Sequence, residues 1–113
     1  MEKVTWGKVG EDKASKYLEE KGFQVLERNF RNRLGEIDII ALEKETIYFI
    51  EVKNWKGNLK LPLEIFTKKK IGIMRKLAEY FFYTHPKFNQ LFFVSFCLIE
   101  IRDDKINFYK NLF

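Results

Sequence analysis

Residues 91–99 read Leu-Phe-Phe-Val-Ser-Phe-Cys-Leu-Ile, a nearly unbroken apolar run of strand length. A strand of this kind has no polar face to give to water, so it must be covered on both sides. Helices supply those covers, which points to an α/β domain with a central sheet. At 113 residues the chain has room for one such domain and little more.

The remaining segments supply the rest of that frame. Trp6, Val9, Gly10, Ala14, Tyr17 and Leu18 recur at helical spacing, predicting a helix from about Thr5 to Lys21. Thr5 can cap its start and Gly22 can end it in a left-handed conformation. Strands are expected over 23–30, 36–42 and 46–53, with a basic turn at 31–35 and a hairpin turn at Glu43-Lys44-Glu45. After a loop with Gly57 and Pro62, Phe66, Ile71, Met74, Leu77, Ala78, Phe81 and Phe82 form one stripe, predicting a helix over 63–83. His85-Pro86 stops it. Asp103-Asp104 then turns into a short strand over 105–109. The order is α-β-β-β-α-β-β, and no repeat or linker divides residues 1–113.

Several classes are set aside by what is missing. The N-terminus has no apolar signal-peptide core, and no window is long and apolar enough to span a membrane, so a cytoplasmic protein is expected. Cys97 is alone, which excludes an internal disulfide and reads as a buried, inert thiol. The single histidine, His85, reads as a helix terminator, and no Cys/His cluster, Gly-rich loop or Ser-His-Asp set is present. Trp6 is expected in the core. The net charge of +5 suits a polyanionic partner.

Three charged residues sit where folding alone would not put them. Asp38 interrupts Ile37-Asp38-Ile39-Ile40-Ala41, while Glu51 and Lys53 interrupt the run from Ile47 to Lys53. Both segments should be central strands. Side chains alternate along a strand, so Glu51 and Lys53 share a face about 7 Å apart, and Glu36 shares one with Asp38. A hairpin through 43–45 then brings Asp38 across from the end of the third strand. Two carboxylates at that reach suit Mg²⁺ or Mn²⁺, hard cations that take one or two carboxylates and complete their shell with water and phosphate. The backbone carbonyl of Val52 is a further candidate ligand. Lys53 would orient an attacking water and stabilise charge developing on a phosphate. The competing reading is a solvated hairpin face carrying ordinary alternating charges.

Asp38 followed thirteen positions later by Glu51-Val52-Lys53 resembles the PD-(D/E)XK nuclease superfamily, with Ile37 standing where the name expects Pro. The fuller resemblance is to the YraN-type family of small endonuclease-like proteins. It is carried by Gly10-Glu11-Asp12-Lys13-Ala14, by Arg28-Asn29-Phe30-Arg31 with Gly35-Glu36-Ile37-Asp38-Ile39-Ile40-Ala41, and by Phe49-Ile50-Glu51-Val52-Lys53. Archaeal Holliday-junction resolvases are similar over the same stretches, more loosely. The resemblance implies a restriction-endonuclease-like fold, a central mixed sheet flanked by helices. It implies Asp38 and Glu51 as metal ligands, Lys53 as the catalytic lysine, and Glu11 as an acidic residue reaching the site from the first helix. It departs at Trp55, where the family usually has Arg, and at Leu91-Phe92-Phe93-Val94, where it tends to have Arg-Phe-Asp-Val.

The function expected is Mg²⁺- or Mn²⁺-dependent hydrolysis of nucleic acid, DNA before RNA, with structured or branched DNA as substrate. The alternative is a binding module on the same fold that does not cut. Arg28, Arg31, Arg33, Lys56, Lys68, Lys69 and Lys70 flank the site in the chain and are candidates for the phosphate backbone, against a plain solvated surface for the helical lysines. Trp55 either stacks on a base or packs on the neighbouring loop. No membrane partner is expected. A homodimer would place two sites on two strands, with Phe92, Phe93, Phe96, Phe108, Tyr109 and Phe113 as its apolar surface.

Overall fold

The structure, a computed structural model, describes residues 6–55, 62–88 and 92–113, with backbone alone for 62 and 63. The elements run α1 (Trp6–Glu20), β1 (Gln24–Asn32), β2 (Gly35–Glu43), β3 (Thr46–Asn54), α2 (Pro62–Ile65), α3 (Lys68–Thr84), a 3₁₀ turn at Pro86–Phe88, β4 (Phe93–Arg102) and β5 (Lys105–Tyr109). The five strands form one sheet in the order β1-β2-β3-β4-β5, in which only β3 and β4 are parallel. This is the mixed α/β architecture expected, with the same order of elements and a frame consistent with a restriction-endonuclease-like fold.

Each face of the sheet carries its own core. Ala14 and Leu18 of α1 pack on Ile39, Ala41, Ile50, Cys97 and Ile99. Met74, Leu77, Ala78 and Phe81 of α3 pack on Ile37, Ile40, Phe49 and Leu98. β3 and β4 are covered on both sides, and Ser95 to Ile101 are all buried. Burying a side chain of Leu or Phe size contributes about 1.5–3 kcal/mol, which accounts for a sheet centre built from Ile, Phe and Leu.

Local chemistry fixes the boundaries. Gly22 sits at φ +91, and the N–H groups of Gly22 and Phe23 return to the carbonyls of Glu19 and Leu18. That closes α1 as a left-handed cap. Asp103 and Asp104 both have positive φ in a two-residue loop between Arg102 and Lys105, the backbone of a type I′ hairpin.

Four expectations need correction. The single helix over 63–83 is two helices, because the Thr67 hydroxyl accepts from the Lys70 N–H and starts α3 afresh. The fourth strand continues to Arg102, so Glu100 lies inside the sheet, 2% exposed. Trp6 is not core: it is 45% exposed, its indole N–H donating to the Asn54 carbonyl. Of the aromatic surface considered for a dimer, Phe96 is buried and stacks on Phe113 at 4.8 Å, leaving Phe93 and Tyr109 exposed. The expected cap at Thr5 lies outside the described residues. No helix among the described residues is long and apolar enough to cross a membrane.

Candidate active site

The site forms where β2 and β3 part. Their paired register ends at Ile39 and Ile50. Ile37 belongs to the core under α3 and Ile39 to the core under α1. Strict alternation would give these two residues one face, so the chain turns over between them, at Asp38. Asp38 Oδ2 there accepts the Val52 N–H at 2.8 Å. On the neighbouring strand the same break occurs at Asn29, which has φ +51. Arg28 reaches Asp12 on α1 whereas Phe30 packs on Phe81 of α3. Asn tolerates this left-handed conformation better than most residues.

The reversal directs an amide and three carboxylates into one space. Oxygens of Glu11, Glu36 and Asp38 all lie within 4.8 Å of one another. Asn29 Nδ2 donates to Glu11 at 2.8 Å and to Glu36 at 2.6 Å, holding the two acids together. Glu11 comes from α1, and the approach of that helix depends on Gly10. A Cβ there would lie 2.7 Å from Asn54 Cβ, so only glycine lets α1 lie this close to the end of β3.

Glu51, 5% exposed, stands beside this trio on the α3 side. Lys70 Nζ is 2.8 Å from one of its oxygens and Lys53 Nζ 3.5 Å from the other. Glu51 and Lys53 therefore share a face, as their spacing predicts. The Asp38 carboxyl is pushed up from 3.8 to about 7, by burial first and then by the charge of Glu51. The charges of Glu11 and Glu36 add to the rise, and the Val52 N–H opposes it. A carboxylate this unfavourable in its charged form is one that a cation would relieve. Closely grouped carboxylate oxygens are also the donors a hard divalent cation prefers, so the residues present fit Mg²⁺ or Mn²⁺.

The acidic group is therefore broader than the sequence suggested. Asp38 joins Glu11 and Glu36, while both oxygens of Glu51 are engaged by lysines. Glu36 and Asn29 had no assigned role. Their signals in the sequence were that both lie in the blocks that carry the family resemblance and that Glu36 shares a strand face with Asp38. Val52 contributes its N–H to Asp38, a contact the sequence did not suggest.

The basic residues divide into two groups. Arg28 is 2.7 Å from Asp12 and 4.0 Å from Glu11, and Lys70 is on Glu51, so both brace the acidic group. Arg31 lies 3.9 Å from Glu36 with most of its side chain in solvent. Arg33, Lys68 and Lys69 are exposed. Lys56 lies outside the described residues. His85 caps α3, its N–H on the Phe81 carbonyl, and its ring stacks on Phe81 at 4.3 Å. Cys97 is buried, which pushes its thiol up to about 11 and keeps it protonated.

Comparison with known proteins identifies relatives along nearly the whole chain. A protein of Campylobacter lari is 38% identical over 112 residues, spanning 99% of this chain and 96% of its own length. One from Fervidobacterium nodosum is 38% identical over 96% of this chain and 84% of its own. Another, from Caldicellulosiruptor saccharolyticus, is 39% identical with both chains covered in full. All three are named UPF0102 proteins. The model of that family matches residues 10–102, from the glycine that admits α1 to the end of β4. The chain belongs to the uncharacterised protein family UPF0102.

Proposed function

We propose that this protein is a nuclease of the PD-(D/E)XK superfamily, related to the archaeal Holliday-junction resolvases. It hydrolyses phosphodiester bonds with Mg²⁺ or Mn²⁺, in DNA before RNA and in structured or branched DNA before linear. The observation that carries this reading is the convergence of Glu11, Glu36 and Asp38, with the charge of Glu51 beside them, inside a chain of net charge +5. A protein that only bound a polyanion would be weakened by inward-facing carboxylates. A protein that cuts one needs them.

Glu11, Glu36 and Asp38 would hold the cation. When bound, it polarises the phosphoryl oxygen and lowers the pKa of a coordinated water. Glu51 holds the Lys53 ammonium at 3.5 Å, which limits where that group can point. Lys53 then donates to the attacking water and to the oxygen on which negative charge grows. Lys70, the closer partner at 2.8 Å, holds Glu51 in place.

The test is cleavage of labelled linear, flapped and four-way DNA with Mg²⁺ or Mn²⁺. Wild type should cut. Lys53→Ala, in which Lys70 still holds Glu51, should cut at least ~10²-fold more slowly. Binding without cleavage on every substrate would leave the non-catalytic binding module in its place.

A further inference from the structure

Beyond Lys53, between the end of β3 and the start of α3, lies a cavity of about 270 Å³ lined by Lys53, Trp55, Glu64, Ile65 and Lys70. Trp55 is fixed at two points. Its backbone N–H donates to the Ile101 carbonyl at 2.8 Å, and its indole N–H to Glu100 Oε2 at 2.9 Å. Glu100 is 2% exposed and lies opposite Lys53 in the parallel register of β3 and β4. A buried carboxylate is costly unless it is satisfied, and this one is turned toward an indole edge. The result is an aromatic ring held in a set orientation in the wall of a cavity that shares Lys53 with the active site.

Charge and size select the occupant. The ammonium groups of Lys53 and Lys70 are both drawn onto Glu51, and Glu64 adds a carboxylate to the wall. Among the described residues these charges nearly cancel, so an isolated phosphate gains little there. A neutral planar ring gains more: stacking on the indole, apolar contact with Ile65, and polar groups at its edge. The volume falls just below the roughly 300–1,000 Å³ of sites that engulf a drug-sized ligand. That is room for one base and not for a dinucleotide.

We infer that this cavity is a subsite for one unpaired nucleobase of the bound strand, with Trp55 as its stacking platform and Glu100 as the residue that positions Trp55. The inference rests on the nuclease reading for the identity of the strand, and it narrows the substrate class. A flap, loop or single strand offers an unpaired base directly, whereas a continuous duplex must first unstack one.

The test reads binding and needs no cleavage. In Trp6→Phe protein, Trp55 is the remaining tryptophan, and its fluorescence should be quenched as a single-stranded oligothymidylate binds, with binding followed separately by anisotropy of the labelled strand. Trp55→Ala should weaken oligothymidylate binding by about tenfold, as loss of one stacked base does, and leave a blunt duplex of equal length unaffected. Trp55→Phe should recover most of the loss. Glu100→Ala, which removes the acceptor of the indole N–H, should lower the extent of quenching at saturation. Anisotropy that rises without quenching overturns the subsite. So does quenching by free thymidine monophosphate with none by the strand, which would make the cavity a nucleotide site. If Trp55 behaves as stated while no substrate is ever cut, the subsite stands and the nuclease reading falls. If substrates are cut while Trp55→Ala binds single strands as wild type does, the reverse holds.

Discussion

The Val52 N–H points at Asp38 Oδ2, 2.8 Å away, at the place where β2 leaves β3. A backbone donor that would otherwise seek a strand partner is satisfied by a carboxylate instead. That single contact ends the pairing of the two strands and holds Asp38 among Glu11, Glu36 and Glu51. It favours the charged form of Asp38, against burial and three like charges.

The pH dependence of stability should therefore run downward through neutrality. The folded chain keeps a proton on Asp38 that the unfolded chain has released, because its pKa rises from 3.8 to about 7. This stabilising contribution is fully present below 3.8 and is lost as pH rises through about 7. Urea midpoints of protein without divalent cations should fall between about pH 5 and pH 8. Asp38→Asn, which removes the titration and still offers an oxygen to Val52, should flatten that slope. An Asp38→Asn slope equal to wild type would remove Asp38 as its source.

Divalent cation should oppose the same repulsion. At a Mg²⁺ or Mn²⁺ concentration near 100 times Kd, mass action adds about 2.7 kcal/mol, a rise of about 10 °C in Tm for a domain of this size. Asp38→Ala should abolish the rise. Glu36→Gln should reduce it strongly if the ligands are Glu11, Glu36 and Asp38. A full rise in Glu36→Gln with none in Glu51→Gln would restore the Asp38–Glu51 pair as the ligand set.

What the sequence revealed and what it hid have the same physical root. Asp38, Glu51 and Lys53 were legible because a charge inside a run of β-forming residues breaks the hydrophobic pattern. The helices were legible by their apolar spacing. Glu36 and Asn29 were not, because their roles depend on the reversal at Asn29 and Asp38, and a period of two carries no sign of where it fails. The break at Thr67 was hidden for a related reason. Phe66 and Ile71 stay near the helical stripe, so the pattern runs through a boundary that a hydroxyl cap creates. Glu100 was missed because the apolar run ends at Ile101 with this one acid inside it, while its satisfaction by Trp55 comes from the residue after β3.

Gly10 gives a test of the frame that bypasses the acids. A methyl group at this position must displace Asn54 or α1, since the new Cβ would lie 2.7 Å from Asn54 Cβ. Gly10→Ala should cost about 1–3 kcal/mol, the usual scale of overpacking, measured by urea unfolding. It should also weaken cation binding, because Glu11 follows Gly10 directly and moves with the helix. Gly7→Ala serves as the control, because a Cβ at Gly7 meets nothing within 4 Å. Equal cation affinity in Gly10→Ala and wild type would mean that Glu11 is not a ligand.

The division of the basic residues predicts how salt acts on DNA binding. Each phosphate neutralised contributes a slope of about −0.9 in log K against log salt on duplex DNA. Lys68 and Lys69 are exposed at the start of α3, so their charges are available to a phosphate backbone. Changing both to Ala should flatten the slope by up to about two phosphates' worth and weaken binding alike on every sequence. Arg28 should behave differently. Its guanidinium is already 2.7 Å from Asp12, so Arg28→Ala should leave the salt slope nearly unchanged. It should instead alter cation affinity, through the loss of its contact with Glu11 at 4.0 Å. Titrations of a labelled duplex at several salt concentrations, with and without Mg²⁺, separate the two effects. A slope that falls equally in both variants would place Arg28 on the DNA rather than behind the acids.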